Sequence, residues 1–302
     1  MALIQALLPV FSLILMGLLA VRLRFPGADF WPGAERLIYY LLFPSLLFTN
    51  LAQASLAGLP LSQMGIALGL PVLGVSLLLL LLKPLLGISG ADFGSLFQGA
   101  IRQNTYVGLA GAAALAGSAG LTLAAVAIAV LIPLLNLLSV AVLSAYGSSG
   151  RSWGRAVLEI VRNPLIMACG AGIAVNLLGL SIPRLVIEPL EMLGRASLPL
   201  GLLSVGAALR LGISGRELLS IAVSSGAKLL LMPFLVLLLS RHLQLEAAVT
   251  LVVVLFAALP TSVSSYILAR QLGGNEHLMA SIITAQTLLA MLSMPWVLGW
   301  VV

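Results

Sequence analysis

Ten runs of roughly twenty apolar residues follow one another along this chain, and almost every charge falls between them. Inside a bilayer no water reaches the backbone, so such runs fold as helices that satisfy their own N–H and C=O groups. The runs lie near residues 3–21, 36–54, 61–82, 94–117, 121–145, 156–178, 194–210, 217–240, 246–269 and 278–300, with an interfacial piece from Pro183 to Leu193 ahead of the seventh. The fold class they predict is an all-α polytopic membrane protein of ten transmembrane helices. Composition agrees. The chain is 61% hydrophobic and 8% charged, with a mean hydropathy of +1.17, where a soluble domain carries about 25% charged residues. No stretch is long and polar enough to form a separate soluble domain. The first run has no Lys or Arg ahead of it and no small-residue cleavage site behind it, so it is expected to be a span and not a signal peptide.

The placement of the basic residues orients the spans. The odd connections hold Arg22, Arg24, Arg36, Lys83, Arg151, Arg155, Arg162, Arg210, Arg216 and Arg270, and the even ones hold Arg184, Arg195 and Arg241. Cytoplasmic loops carry the excess of Lys and Arg. The odd connections therefore face the cytoplasm and both termini face the outer side. The net charge of +6 does not point to nucleic acid, because the cations are scattered over span ends. The single cysteine, Cys169, excludes an internal disulfide.

Two of the runs are interrupted by polar residues. The first interruption is Arg102-Gln103-Asn104-Thr105. The second is Pro260-Thr261-Ser262-Val263-Ser264-Ser265. Asn104 and Thr261 are 157 positions apart, about half the chain. Pro9 and Pro164, Gly17 and Gly172, and Pro44 and Pro199 are each 155 apart. Five spans per half mean that the second half enters from the opposite side. The expected domains are a first inverted repeat over 1–147, a linker over 148–154 and a second repeat over 155–302. Interrupted spans at matching places in inverted repeats are the best sequence pointer to a transporter binding site.

The candidate substrate-binding residues follow from that placement. Arg102 lies within a span and is costly there unless it faces a cavity or a partner. Its planar fork of donors suits a carboxylate, while a side chain reaching back to the interface is the competing reading. Asn104, Thr105, Thr261, Ser262, Ser264 and Ser265 offer neutral donors and acceptors beside backbone freed by the interruption. Pro260 removes a backbone donor and breaks its helix, and Gly108 is the expected break in the first interrupted span. Lys228, Asn136 and Gln286 are secondary candidates; the other reading is a snorkelling or structural lysine for Lys228 and interhelical hydrogen bonding for Asn136 and Gln286.

All nine acidic residues fall in loops or at span ends. A positive core without internal acids favours an anionic substrate. Enzyme chemistry is not expected. Gly147-Ser148-Ser149-Gly150 matches an intramembrane serine protease pattern, but His242 and His277 lie at span ends on opposite faces, out of reach of that serine. No metal or cofactor is expected, since no His/Cys cluster has ligand spacing.

The residues resemble the auxin efflux carrier family, the bacterial relatives of plant auxin exporters, over nearly the whole chain. The fourth-span pattern reads Arg102-Gln103-Asn104-Thr105-Tyr106-Val107-Gly108-Leu109, with Ala110 where the family often has Pro. The ninth-span pattern reads Pro260-Thr261-Ser262, Tyr266, Leu268-Ala269 and Gly273-Gly274. Phe43-Pro44-Ser45-Leu46-Leu47-Phe48, Leu198-Pro199 with Gly206, and Lys228 with Pro233 also look like family features. The resemblance implies two inverted five-helix repeats in which spans four and nine are unwound and cross. Spans 1, 2, 6 and 7 would form a scaffold-like domain through which members often dimerise, and spans 3–5 and 8–10 a moving transport domain. The implied function is a secondary transporter in a bacterial inner membrane, carrying a small organic anion such as malonate, malate or an auxin-like carboxylate by alternating access. Its partners would be that anion, the lipid bilayer and a second copy of the chain. A transporter-fold sensor and a sodium-coupled bile-acid-type symporter are the alternatives. The latter family uses an acidic residue near its crossover, which this sequence lacks.

Overall fold

Capping residues fix where several of the helices begin. Ser89 accepts a hydrogen bond from the Asp92 N–H (3.1 Å) and opens a helix at Gly90. The Asn163 Oδ1 accepts from the Leu165 and Ile166 N–H groups ahead of Pro164, and the Asn275 Oδ1 accepts from the Leu278 N–H. Each cap satisfies a donor that a helix start would otherwise leave orphaned.

The computed structural model describes residues 2–27, 29–54, 59–147, 162–210 and 215–301. The expected linker over 148–154, Ser148-Ser149-Gly150 and the start of the sixth expected span lie outside the described residues. The helices are α1 (Ala2–Arg22), α2 (Phe30–Leu37), α3 (Phe43–Gln53), α4 (Leu61–Leu86), α5 (Gly90–Ile101), α6 (Thr105–Tyr146), α7 (Pro164–Leu177), α8 (Arg184–Ala207), α9 (Leu218–Gly226), α10 (Met232–His242), α11 (Ala247–Ala258), α12 (Ser264–Leu272) and α13 (Glu276–Leu298). π-helical turns, Ile38–Leu42 and Ala227–Leu231, join α2 to α3 and α9 to α10. Each ends two residues before a proline, Pro44 or Pro233. A proline ring clashes with the carbonyl four residues back, and widening the turn relieves that clash.

α8 runs unbroken from Arg184 through Pro189 and Pro199, so the expected piece over 183–193 and the seventh expected span are one helix. The fourth expected span, 94–117, is interrupted at Arg102, and helical geometry is lost again at Ala116 and Gly117 (φ 57°), where α6 kinks between the fourth and fifth expected spans. Gly117 allows the positive φ that an L side chain would resist.

The chain divides into two compact units. One comprises residues 1–61, 106–129 and 161–208. In it α1 packs on α8, and α3 on α7 and α8. These approaches are close. A Cβ on Gly17 would run into the Leu203 carbonyl, and one on Gly206 into the Ile14 carbonyl. A Cβ on Gly172 would lie 2.8 Å from the Phe48 oxygen. Small residues of this kind let membrane helices approach backbone to backbone. The other unit comprises residues 62–105, 130–160 and 209–302. In it α5 packs on α9, α12 and α13, and α11 on α10 and α13. Its core includes Phe93, Phe97 and Phe256, all fully buried. Five helices among the described residues are long and apolar enough to cross a membrane, and bare leucines such as Leu81, Leu85 and Leu292 point outward.

The glycine contacts give a stability test. Gly206→Ala is expected to cost roughly 1–3 kcal/mol through overpacking of α1 against α8, read as a lower thermal midpoint in detergent. Gly170→Ala, at a position with nothing within 4 Å, is expected to leave the midpoint unchanged. Equal effects at the two glycines would mean that the close approach is not what holds α1 to α8.

Candidate functional site

Two helices of the second unit stop in mid-course, and the backbone they free meets. α5 ends at Ile101, and Arg102 turns extended (φ −72°, ψ 154°). α11 ends at Ala258, and Leu259 turns extended (φ −61°, ψ 144°). The second stop has a local cause: a residue before proline is pushed out of the helical region, and Pro260 follows Leu259. The first has no proline. It is held by a long-range bond in which the Asn104 N–H donates to the Pro260 carbonyl at 2.8 Å. The two stops lie 157 positions apart, at Ile101 and Ala258. Gly108 is not at the break. It lies inside α6, three residues after the helix has resumed, because the break is made by Arg102–Asn104 and a buried glycine within a helical turn need not interrupt it.

Several of the groups freed at the crossing find partners on other segments. Gln286 of α13 joins both breaks: its Oε1 accepts from the Thr261 N–H (2.9 Å) and its Nε2 donates to the Gly99 carbonyl (3.0 Å). The Thr261 hydroxyl lies 3.4 Å from the Gln98 carbonyl, to which it donates. The Lys228 ammonium donates to the Ala257 carbonyl (3.0 Å), one of the last carbonyls of α11, where the helix dipole is negative and favours a cation. Lys228, Thr261 and Gln286 are all buried. Lys228 therefore does not reach back to an interface. It caps a broken helix, and the widened turn in which it sits carries it there.

Arg102 occupies the rim of this crossing. Its Nη1 donates to the Asn136 Oδ1 (2.9 Å) and its Nη2 to the Ser264 Oγ (3.1 Å). Ser264 is the first residue of α12 and shares a hydrogen bond with the Ser262 hydroxyl (2.8 Å). The structure thus gathers Arg102, Asn136, Ser262 and Ser264 into one hydrogen-bonded chain, with Arg102 half-buried and Ser264 exposed. Asn104 and Ser265 are buried beside it, and Thr105 opens α6. Across the first turn of α12, the Arg210 guanidinium lies 5.1 Å from the Tyr266 ring. Among the described residues no three of His, Cys, Asp and Glu gather in metal-binding range.

Gln98 is a residue that sequence reading passed over. It is fully buried, and neither Oε1 nor Nε2 of its side chain hydrogen-bonds to protein among the described residues. Its signal is its position in the last turn of α5, just before the polar interruption that starts at Arg102.

With this geometry in hand, comparison with known proteins is informative. A family model described as membrane transport protein matches residues 151–298, the second half of the chain. No curated protein matches the chain.

The Lys228 cap has a direct test. Lys228→Met leaves the Ala257 carbonyl without its donor, a loss of about 1–3 kcal/mol. The expected readout is a lower thermal midpoint. An unchanged or raised midpoint would mean that the cap contributes nothing to the fold.

Proposed function

The chain belongs to the membrane transport proteins of the auxin efflux carrier family, and from that premise we propose that it is a secondary transporter of a small organic anion, a mono- or dicarboxylate of malonate-like, malate-like or auxin-like kind. The observation that carries this reading is the Arg102 guanidinium held by Asn136 and Ser264 at the first turn of α12, beside the junction of two broken helices. Half-helix N-termini carry positive partial charge and take the anionic groups of substrates in broken-helix transporters. A guanidinium there adds a full charge and a planar pair of donors. Asn136 and Ser264, which accept from its two terminal nitrogens, are neutral. Among the described residues, the buried polar ones include no Asp or Glu.

In this reading Arg102, Asn104, Thr105, Ser262 and Ser264 contact substrate, while Thr261 and Ser265 shape the backbone behind them. The architecture would be ten spans in two inverted repeats, with both termini outside a bacterial inner membrane. The contacts within the first compact unit support a repeat. Gly17 meets Leu203, and Gly172 meets Phe48. Gly17 and Gly172 are 155 positions apart, and so are Phe48 and Leu203, so one contact is the image of the other with the two halves exchanged. The division into two compact units supports a scaffold of spans 1, 2, 6 and 7 and a transport domain of the others, moving in alternating access, with residues 106–129 grouping with the scaffold side. A homodimer through the scaffold fits the same scheme.

The test is counterflow in proteoliposomes loaded with malonate, malate or an aromatic carboxylate. Removing a hydrogen bond to a charged group costs about 1.5–3 kcal/mol, or roughly 10- to 100-fold in affinity. Arg102→Ala is expected to weaken apparent affinity by that factor, and Asn104→Ala to abolish saturable exchange. Wild-type protein, shown to be folded, that exchanges no carboxylate would overturn the proposal.

A further inference from the structure

Gln286 does something at the crossing that a substrate ligand would not. It is fully buried, and both ends of its amide are already engaged with main chain. The Thr261 N–H can only donate and the Gly99 carbonyl can only accept, so the amide orientation is fixed by its partners: Oε1 toward Thr261, Nε2 toward Gly99. Gly99 belongs to the last turn of α5, where a carbonyl has lost its helical donor, and Thr261 lies in the gap between α11 and α12. One side chain on an unbroken helix therefore ties both broken segments at once. The other hydroxyls on this part of α13 do not share the task. Thr287 donates to its own helix at Ile283, and Thr284 donates to Ala280 and accepts from the Arg210 N–H.

We propose that Gln286 is the positioning residue of the crossing: its amide clips the end of α5 and the gap before α12 to α13, and so sets the register in which Arg102 meets Ser264 and Asn104 meets Pro260. The clip needs a donor and an acceptor at adjacent atoms. Serine and threonine are too short to reach two segments. An ionised carboxylate only accepts, and so repels the Gly99 carbonyl. A protonated carboxyl has both functions in nearly the shape of the amide. The substitution Gln286→Glu therefore makes the clip dependent on pH, whereas Gln286→Leu removes it at every pH.

Among the described residues, the ionisable groups on and beside the elements packed against this stretch are Asp92, Glu217 and Glu276, which bond to Asn275, Ser281 and Arg270, Glu246 and Tyr266, the cations Lys228, Arg102, Arg210, Arg241 and Arg270, and His242 and His277. Wild-type protein and Gln286→Leu carry all of these unchanged, so they serve as controls for every titration except the new one.

The experiment is peptide-resolved hydrogen exchange on the purified full chain, paired with carboxylate counterflow, between pH 5 and pH 9. In wild type the Thr261 amide is expected to exchange slowly although it lies outside any helix. Rapid exchange there would overturn the clip without any variant being made. Gln286→Glu is expected to expose the segments around 99–105 and 259–264 together, by at least tenfold in rate at high pH, and to restore protection in both as the pH falls. Gln286→Leu is expected to expose both at every pH. Protection that ignores pH in Gln286→Glu, or that changes at one break only, would also overturn it. The effect on transport rests on the anion-carrier reading: recovery of counterflow with recovered protection is expected. Exchange data that behave as described in a protein that moves no anion would uphold the clip and remove that reading alone.

Discussion

A helix broken inside a membrane exposes backbone groups that no water can satisfy, and most of the second unit is arranged around answering that demand. Each break answers part of the other. The N–H of Asn104 finds the Pro260 carbonyl, and the Thr261 hydroxyl finds the Gln98 carbonyl. What the breaks cannot supply to each other comes from neighbouring helices, through Lys228 on the π turn and Gln286 on α13. An unpaired polar group in hydrocarbon costs several kcal/mol. Partners of this kind make a break tolerable, and the two breaks supply some of them to each other.

The same accounting separates structure from chemistry at the site. Lys228, Thr261 and Gln286 are buried and spend their polar atoms on main chain. Arg102, Ser262 and Ser264 bond to one another's neighbourhood through side chains and remain partly open. The inner layer fixes the backbone, and in the proposed reading the outer layer recognises a solute. The positions 157 before Lys228 and Gln286 are Pro71 and Ala129, neither of which has a side-chain donor. The two halves therefore share the interruption but not the means of holding it, and both supports come from the second half.

Much of this was legible in the sequence, for identifiable reasons. Pro260 announces its break because proline acts on its immediate neighbours, and a run such as Arg102-Gln103-Asn104 has no place in an apolar span unless something polar receives it. The family could be read from the same residues. Gly108 was misread because glycine in a membrane helix serves close packing as readily as a break, and only the Asn104–Pro260 bond fixes where α5 stops. Gln286 and Lys228 could be picked out as polar residues inside apolar spans, but their partners could not be read. Each is defined by a carbonyl on another helix, and no local pattern encodes which carbonyl that is. Gln98 was overlooked because a lone amide in an apolar run looks the same whether it is buried or turned aside.

The central claim, that an anion binds where Arg102 meets the first turn of α12, can be tested at Ser264 itself. Cys169 is the only cysteine and is buried, so Ser264→Cys in a Cys169→Ser background gives one reactive thiol at the site. The measurement is its rate of labelling by a maleimide across a series of carboxylate concentrations. The account predicts saturable protection by a transported carboxylate, and loss of that protection when Arg102 is also replaced by Ala. A labelling rate that no carboxylate changes, in folded protein whose thiol is accessible, would contradict it.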